Sequence, residues 1–438
     1  MKRINNIAVI CYSTSGGGAE RATCMWVQNM LKFSKKILWL YSAKNVGLRT
    51  IDNPDVKYQY LPLGGDRQQI LGNLLVQEKI DFCYDINPDD FSLLDDIKTI
   101  KECGCFAGVA DHSCYFYPLY TLRPQVYLKR SQALKSADVV TALSPENVKW
   151  FLADGVKHVV CMPNFLTFDP STKDCSRSSV NDKELLFVGR LCEVKSPERA
   201  LKVIAELKKR QGFEDVHLRM LGRFDNPVIE SQLKDLVDTL DLRENVSFEG
   251  EVLNVEHYFQ KAKLLLMTSW LEGAPMVINE AKAHAIPTVM FSLDYVPGTK
   301  EEQGVISVPQ DDIKAMADAI CLCIREKSYY EKLSLNAVSS LKEFSNEKIV
   351  EKWLDIFDKM ENGVEIHPMQ QEVDKTLLMT MGLIRLVLKR MSDMEISKTD
   401  YMIISQKNTK HLKALRAMIY VCSVMLVIII VLLLLIIC

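Results

Sequence analysis

The 438-residue sequence carries almost no excess of either charge: 54 Lys and Arg stand against 56 Asp and Glu, a formal net charge of −2. It lacks the global positive field that attracts phosphate backbones, which argues against a nucleic-acid binder. It also lacks any C-x-x-C among its 13 cysteines. The C-x-C pairs Cys103/Cys105 and Cys321/Cys323 are a poor zinc pattern. The odd count, and the place of Cys11, Cys83 and Cys161 inside apolar runs, read as reduced, buried thiols. No solenoid repeat and no low-complexity tract is present. Neither G-x-G-x-x-G nor the G-K-[ST] of a Walker loop occurs after the first apolar run. That run is brief and breaks at Ser and Gly, so it reads as a strand rather than a secretory signal.

What is present is a long alternation. In the first part, apolar and β-branched runs lie at Ile7–Tyr12, Lys36–Tyr41, Tyr58–Leu63, Asp81–Ile86, Phe106–Ala110, Val139–Leu143 and His158–Met162. In the second they lie at Leu185–Val188, His217–Leu221, Val246–Phe248, Leu264–Thr268, Thr288–Phe291 and Val305–Val308. Stretches such as Pro197–Gln211 and Pro227–Leu240 between them are long enough for helices. Continuous apolar strands alternating with amphipathic helices predict parallel sheets covered on both faces. Two such sets predict an α/β chain of two Rossmann-like domains, residues 1–170 and 171–343. The seam falls in the polar stretch Phe168–Lys183.

The rest is helical. In Phe344–Met360, Ser345 is a cap, and Ile349, Trp353 and Phe357 recur every fourth residue. Residues 362–416 form an extension. Within it Leu377, Met381, Ile384, Leu388 and Met391 make one stripe of a helix over Thr376–Met391, with Lys375, Arg385 and Lys389 on the other side. Such a helix can lie on a membrane surface, or pack on the globular body or on a second copy. From Ala417 to Cys438 there is no charged residue, and at helical rise that stretch spans roughly 30 Å, about the thickness of a bilayer core. Lys407, Lys410, Lys413 and Arg416 precede it, so the expectation is a transmembrane tail anchor with the globular part in the cytoplasm.

Ligands of open α/β sheets bind beyond the carboxyl ends of the strands, so the loops there are where chemistry is sought. Gly16, Gly17 and Gly18 follow the first strand and open a helix, which lets backbone amides approach a ligand closely; a flexible turn is the plainer alternative. Arg190 and Lys195 share the loop after Leu185–Val188. Two cations there repel unless they share an anion, and a diphosphate has the charge for both; otherwise Arg190 pairs with a nearby acid and Lys195 is solvated. In "SWLEGAPMVINEA", Glu272 follows a strand and Glu280 lies in the second turn of the helix that Pro275 opens. Both carboxylates can accept the hydroxyls of one sugar or ribose from different heights. His112 sits in a fourth such loop.

Taken in order, "GGGAER", "FVGRL…K", "LGRFD", "VSFEGEV" and "EGAPMVINEA" resemble the family 4 glycosyltransferases of GT-B architecture over roughly residues 5–360. The resemblance implies two Rossmann-like domains facing a central cleft, bridged by a crossover helix at 344–361. It also implies transfer of a sugar from a nucleotide-diphosphate donor, with retention and with no metal ion or cofactor. Arg190 and Lys195 match the pair that holds the diphosphate. Glu272 matches the acid facing the donor sugar, and Glu280 the one that binds the ribose. The amides of Gly273, Ala274 and Met276 would meet sugar hydroxyls. Gly16–Gly18 would line the cleft from the N-terminal domain, near the diphosphate and the acceptor, Gly222 would lie on the donor side, and His112 matches a residue often near the sugar. Ala285 departs from the pattern, standing where Gly is common. The anchor suggests an acceptor held at the membrane, a glycan or a lipid-linked sugar, and no nucleic acid. A nucleotide-sugar epimerase and a tethered scaffold that has lost activity are the competing readings.

Overall fold

The computed structural model describes residues 4–12, 17–43, 51–88, 90–115, 117, 124–170, 183–252, 254–367, 373 and 375–405. Gly16, most of the polar seam and the uncharged stretch Ala417–Cys438 lie outside the described residues. Among the described residues, no helix is long and apolar enough to cross a membrane.

The first sheet contains β1 (Asn6–Cys11), β2 (Lys36–Tyr41), β3 (Val56–Tyr60), β4 (Phe82–Asp85), β5 (Phe106–Asp111), β6 (Val139–Ala142) and β7 (Val159–Cys161). Its order is β3-β2-β1-β4-β5-β6-β7, and every pairing is parallel. The second contains β8 (Glu184–Val188), β9 (His217–Leu221), β10 (Val246–Gly250), β11 (Leu264–Met267), β12 (Thr288–Phe291) and β13 (Val305–Val308), in the order β10-β9-β8-β11-β12-β13, again all parallel. Each of the apolar runs read from the sequence overlaps a strand, though β3 lies at Val56–Tyr60 and leaves Leu61–Leu63 of the run Tyr58–Leu63 outside it. Inner strands such as β1, β4 and β11 are buried along nearly their whole length, because helices cover both faces and leave no wet side to demand alternation, whereas the edge strands β3 and β10 carry polar residues and are partly exposed.

Helices α1 (Gly18–Met30), α2 (Arg67–Gln77), α3 (Leu93–Glu102), α4 (Pro124–Ser136) and α5 (Pro145–Ala153) connect the first set. Helices α6 (Pro197–Lys208), α7 (Pro227–Thr239), α8 (Glu256–Lys261), α9 (Met276–Ala283), α10 (Ile313–Arg325) and α11 (Lys327–Ser340) serve the second. Two more follow, α12 (Asn346–Glu361) and α13 (Lys375–Ser405).

These last two return to the first sheet. Ser345 caps α12 by accepting the Lys348 amide. Trp353 of α12 is buried against Trp26 of α1 and Tyr84 of β4, with ring centroids 5.4 and 5.1 Å away. The Ile4 amide donates to Glu361 Oε1 at 2.6 Å, and Asn346 bonds both ways with the backbone of Leu166. On the opposite face of the same sheet, Met381 and Leu388 of α13 enter a core built from α2, α3, α4 and α5. Arg385 does not stay on the solvent side that its position in the sequence suggested. It donates through Nε to buried Asp154 at 2.7 Å, because that carboxylate at the end of α5 requires a cation.

Each sheet reverses its strand order once, between β1 and β4 and between β8 and β11. Those two switch points are where parallel sheets open a crevice for ligands.

Candidate functional site

At the switch point of the second sheet, the loop after β8 is stitched to the segment after β11. Thr268 Oγ1 donates to the carbonyls of Lys195 at 3.1 Å and Ser196 at 2.8 Å. The Trp270 amide donates to Val194 O at 2.9 Å. Arg199 holds the other side: its guanidinium lies 4.0 Å from the ring centres of Trp270 and Phe291 and donates to Thr268 O at 3.0 Å. This framework brings Lys195 onto Glu272. Lys195 Nζ donates to both carboxylate oxygens, at 2.6 and 2.7 Å, and Glu272 is buried. The Glu272 amide in turn donates to the Tyr295 hydroxyl at 3.2 Å. Burial pushes the Tyr295 phenol well up, so it stays protonated.

Arg190 does not join Lys195 on a common partner. It turns to Asp225 at 3.2 Å and is half exposed. Two cations on one loop repel, and here each has its own carboxylate. Gly222, after β9, owes its place to a close approach: a Cβ there would lie 1.9 Å from Gly189 O, and its φ is +142°. Only glycine lets the loops after β8 and β9 meet this closely.

Pro275 is the N-cap of α9 rather than a residue of its first turn, with an extended ψ of 111°. Glu280 is the fifth residue of that helix and its side chain is buried. Its Oε1 accepts from Arg21 Nη2, in the first turns of α1, and from Thr167 Oγ1 at 3.0 Å. Its Oε2 is enclosed with no hydrogen-bond partner. Ala274 and Met276 line a pocket with Asn164 and Thr167 across the cleft, and with Lys282 behind. Lys282 is buried and donates to Gly298 O at 2.7 Å; burial lowers its ammonium to about 8.

The two halves also touch beside Glu272. A Cβ on Gly273 would lie 2.8 Å from His112 O and 2.9 Å from the Ser113 carbonyl carbon. Glycine is therefore required where the loop after β11 meets the loop after β5. His112 has an enclosed Nδ1 with no hydrogen-bond partner. Burial lowers its pKa to about 4, against the opposing charge of Asp111 and a hydrogen bond with Asn164, so the ring is neutral near pH 7. Asp111 is committed to Arg130 at 2.6 Å and to Ser113. Gly17 is the N-cap of α1, with Gly18 its first residue.

Lys195, Glu272, Gly273 and His112 thus meet at one place, with Glu280, Ala274 and Met276 on the adjoining helix start; Arg190 and Gly222 lie on the outer loops of the same edge. Sequence reasoning missed Arg21, Thr167, Asn164 and Lys282. Arg21 stands inside "GGGAER", and a cation one turn into a helix that opens on a cleft was the available signal. The partners of Thr167 and Lys282 are set by tertiary contact, and no local pattern marks them.

A family model described as "Glycosyl transferases group 1" matches residues 182–326, which span the second sheet through α10. An uncharacterized glycosyltransferase of Haemophilus influenzae is 27% identical over 223 residues, covering 50% of this chain and 60% of that protein. The chain therefore spans less than two thirds of that relative. A Campylobacter jejuni enzyme is 28% identical over 58% of this chain and 68% of its own length. Its name is GalNAc-alpha-(1->4)-GalNAc-alpha-(1->3)-diNAcBac-PP-undecaprenol alpha-1,4-N-acetyl-D-galactosaminyltransferase. Among solved structures, Anabaena HepE in complex with UDP-glucose superposes with a TM-score of 0.68 at 15% identity, covering 80% of this chain and 99% of its own, a likeness of fold. Residues 182–326 are thus similar to the group 1 glycosyltransferases, and the two parallel-sheet domains, meeting at their carboxyl edges, have the GT-B fold.

Proposed function

We propose that the chain transfers a sugar from a nucleotide-diphosphate donor to a membrane-associated glycan or lipid-linked acceptor, with retention of configuration and without a metal ion. The observation that carries this reading is the Lys195–Glu272 pair at the switch point of the second sheet, set against the His112 loop of the first. Breaking the anomeric C–O bond leaves charge on the departing diphosphate. Lys195 and Arg190, on one loop, are the cations to receive it, and preorganised charge of this kind stabilises a transition state strongly. Glu272 then accepts hydroxyls of the donor sugar, and the free oxygen of Glu280 accepts those of the ribose.

The acceptor oxygen forms the new bond on the face the leaving group vacates, and its proton passes to the departing phosphate oxygen. No enzyme nucleophile is invoked. His112, neutral near pH 7, offers a hydrogen bond beside the sugar rather than a charge. The uncharged stretch Ala417–Cys438 supports a membrane location with the globular part cytoplasmic. Relatives named for undecaprenol-linked and poly(glycerol-phosphate) acceptors support an acceptor of that class.

The test is a panel of nucleotide sugars, read first by thermal shift and then by transfer in chelator. Bound donor raises the melting temperature by mass action. One donor is expected to stand out, its transfer to continue in EDTA and its product to keep the donor's anomeric configuration. No shift with any donor, or interconversion of the free donor without acceptor, would refute the proposal.

A further inference from the structure

Helix α13 has two apolar faces, and only one is covered. The inner face places Met381 and Leu388 in the core, with Leu377 and Ile384 packed beside them. Arg385 locks this face down through Asp154. The outer face carries Leu378, Met379, Leu383 and Leu386, which are 49%, 70%, 44% and 56% exposed. Steps of four and three residues align Met379, Leu383 and Leu386 as one strip, with Leu378 at its edge. Four large apolar side chains standing together in solvent are a patch, whereas scattered single ones would be ordinary surface.

Along the strip itself the charge has one sign, with Asp374 and Asp393 just outside it in sequence and the half-exposed Glu146 of neighbouring α5 paired with Lys149. Exposed Lys375 lies at one end and exposed Lys389 and Arg390 at the other, and no acidic residue occurs from Lys375 to Ser392. Helix α4, against which α13 packs, adds exposed Lys129 and Lys135 and contains no Asp or Glu. An apolar centre with a basic rim matches the boundary between anionic headgroups and acyl chains. A second copy of the chain would suit it poorly, because a symmetric pairing brings the same cations face to face. The sequence beyond α13 also points to lipid: Lys407, Lys410, Lys413 and Arg416 lead into the uncharged run Ala417–Cys438.

We infer that the outer strip of α13 lies on an anionic leaflet while its inner strip holds the first sheet. This docks the α4, α5 and α13 side of the first domain onto the membrane. The two roles that the stripe in the sequence left open are then filled together, one by each face. The inference rests on the reading of Ala417–Cys438 as membrane-inserted, and it fixes how the cleft is presented to a lipid-linked acceptor.

The experiment places a benzophenone photocrosslinker at Met379, Leu383 or Leu386 in the full chain, reconstituted in vesicles of phosphatidylglycerol and phosphatidylcholine. The control is the same probe at Lys234, which is exposed on α7. Lipid adducts several-fold above the control are expected at all three positions, and fewer in vesicles of phosphatidylcholine alone. A chain that stays with the vesicles but gives no lipid adduct at these positions overturns the docking surface and leaves the membrane reading standing. Adducts to a second copy overturn it in favour of self-association. A chain that does not partition with vesicles overturns both.

Discussion

At the scale of single residues, the site consists of cations and acids that satisfy one another. Lys195 reaches both oxygens of Glu272, Arg190 takes Asp225, and Glu280 divides one oxygen between Arg21 and Thr167. His112 gives this scale a pH signature. Its folded pKa is lowered to about 4 by burial, below the ordinary imidazole value near 6.5. As pH falls below 6.5 the unfolded chain takes up the proton first, so stability falls between about 6.5 and about 4. His112→Asn removes that term. The expected outcome is that wild type loses on the order of 1 kcal/mol more than the variant between pH 7 and pH 5. Urea midpoints at the two pH values measure it, and parallel losses in both proteins would count against a buried neutral His112. Lys195, Glu272 and Glu280 were legible in the sequence because a charge in a post-strand loop, or one turn into the following helix, has few places to point. Arg21 was not, since its partner lies on a helix far along the chain and nothing local records the pairing.

At the scale of elements, the strands were the most legible part. Runs such as "IAVIC" and "LLFV" are apolar on both faces, which only a fully covered parallel strand requires. Loop geometry was harder to read. Ala285 shows how a departure in sequence becomes strain in structure: it takes φ +56°, the left-handed region where glycine is at ease. The start of α9 shifts by one residue, with Pro275 outside the helix, because its backbone stays extended. The meeting of α1 with α9 carries a testable energy. Glu280 is buried and Arg21 is its cation, so Arg21→Met leaves a carboxylate without a charge partner, at a cost of about 3 kcal/mol. Glu280→Gln in the same chain restores most of that loss, because Oε1 no longer carries a charge. Denaturation of the two single variants and the double gives the coupling. Additive losses would show that the pair contributes nothing.

At the scale of the molecule, the chain forms two sheets, passes through the second and returns through α12 to the first. The return buries Trp353 against Trp26 and Tyr84, so the closing of the fold is a packing event in the first core. The sequence showed the helix and its apolar face without naming the surface that receives it, because amphipathicity reports that a face is buried and not against what. The same holds for α13, whose inner stripe was visible while its host was not. What the whole arrangement achieves is convergence: the carboxyl edges of both sheets meet where Gly273 touches His112, with Lys195 and Glu272 beside the contact. The central claim is that Lys195 grips the donor diphosphate there. Calorimetric titration of the preferred nucleotide sugar into wild type and Lys195→Ala tests it most directly. Loss of a charge-assisted hydrogen bond predicts a Kd raised on the order of 10- to 100-fold, with the free nucleoside affected little. Equal affinity of the two proteins for the nucleotide sugar would contradict the account.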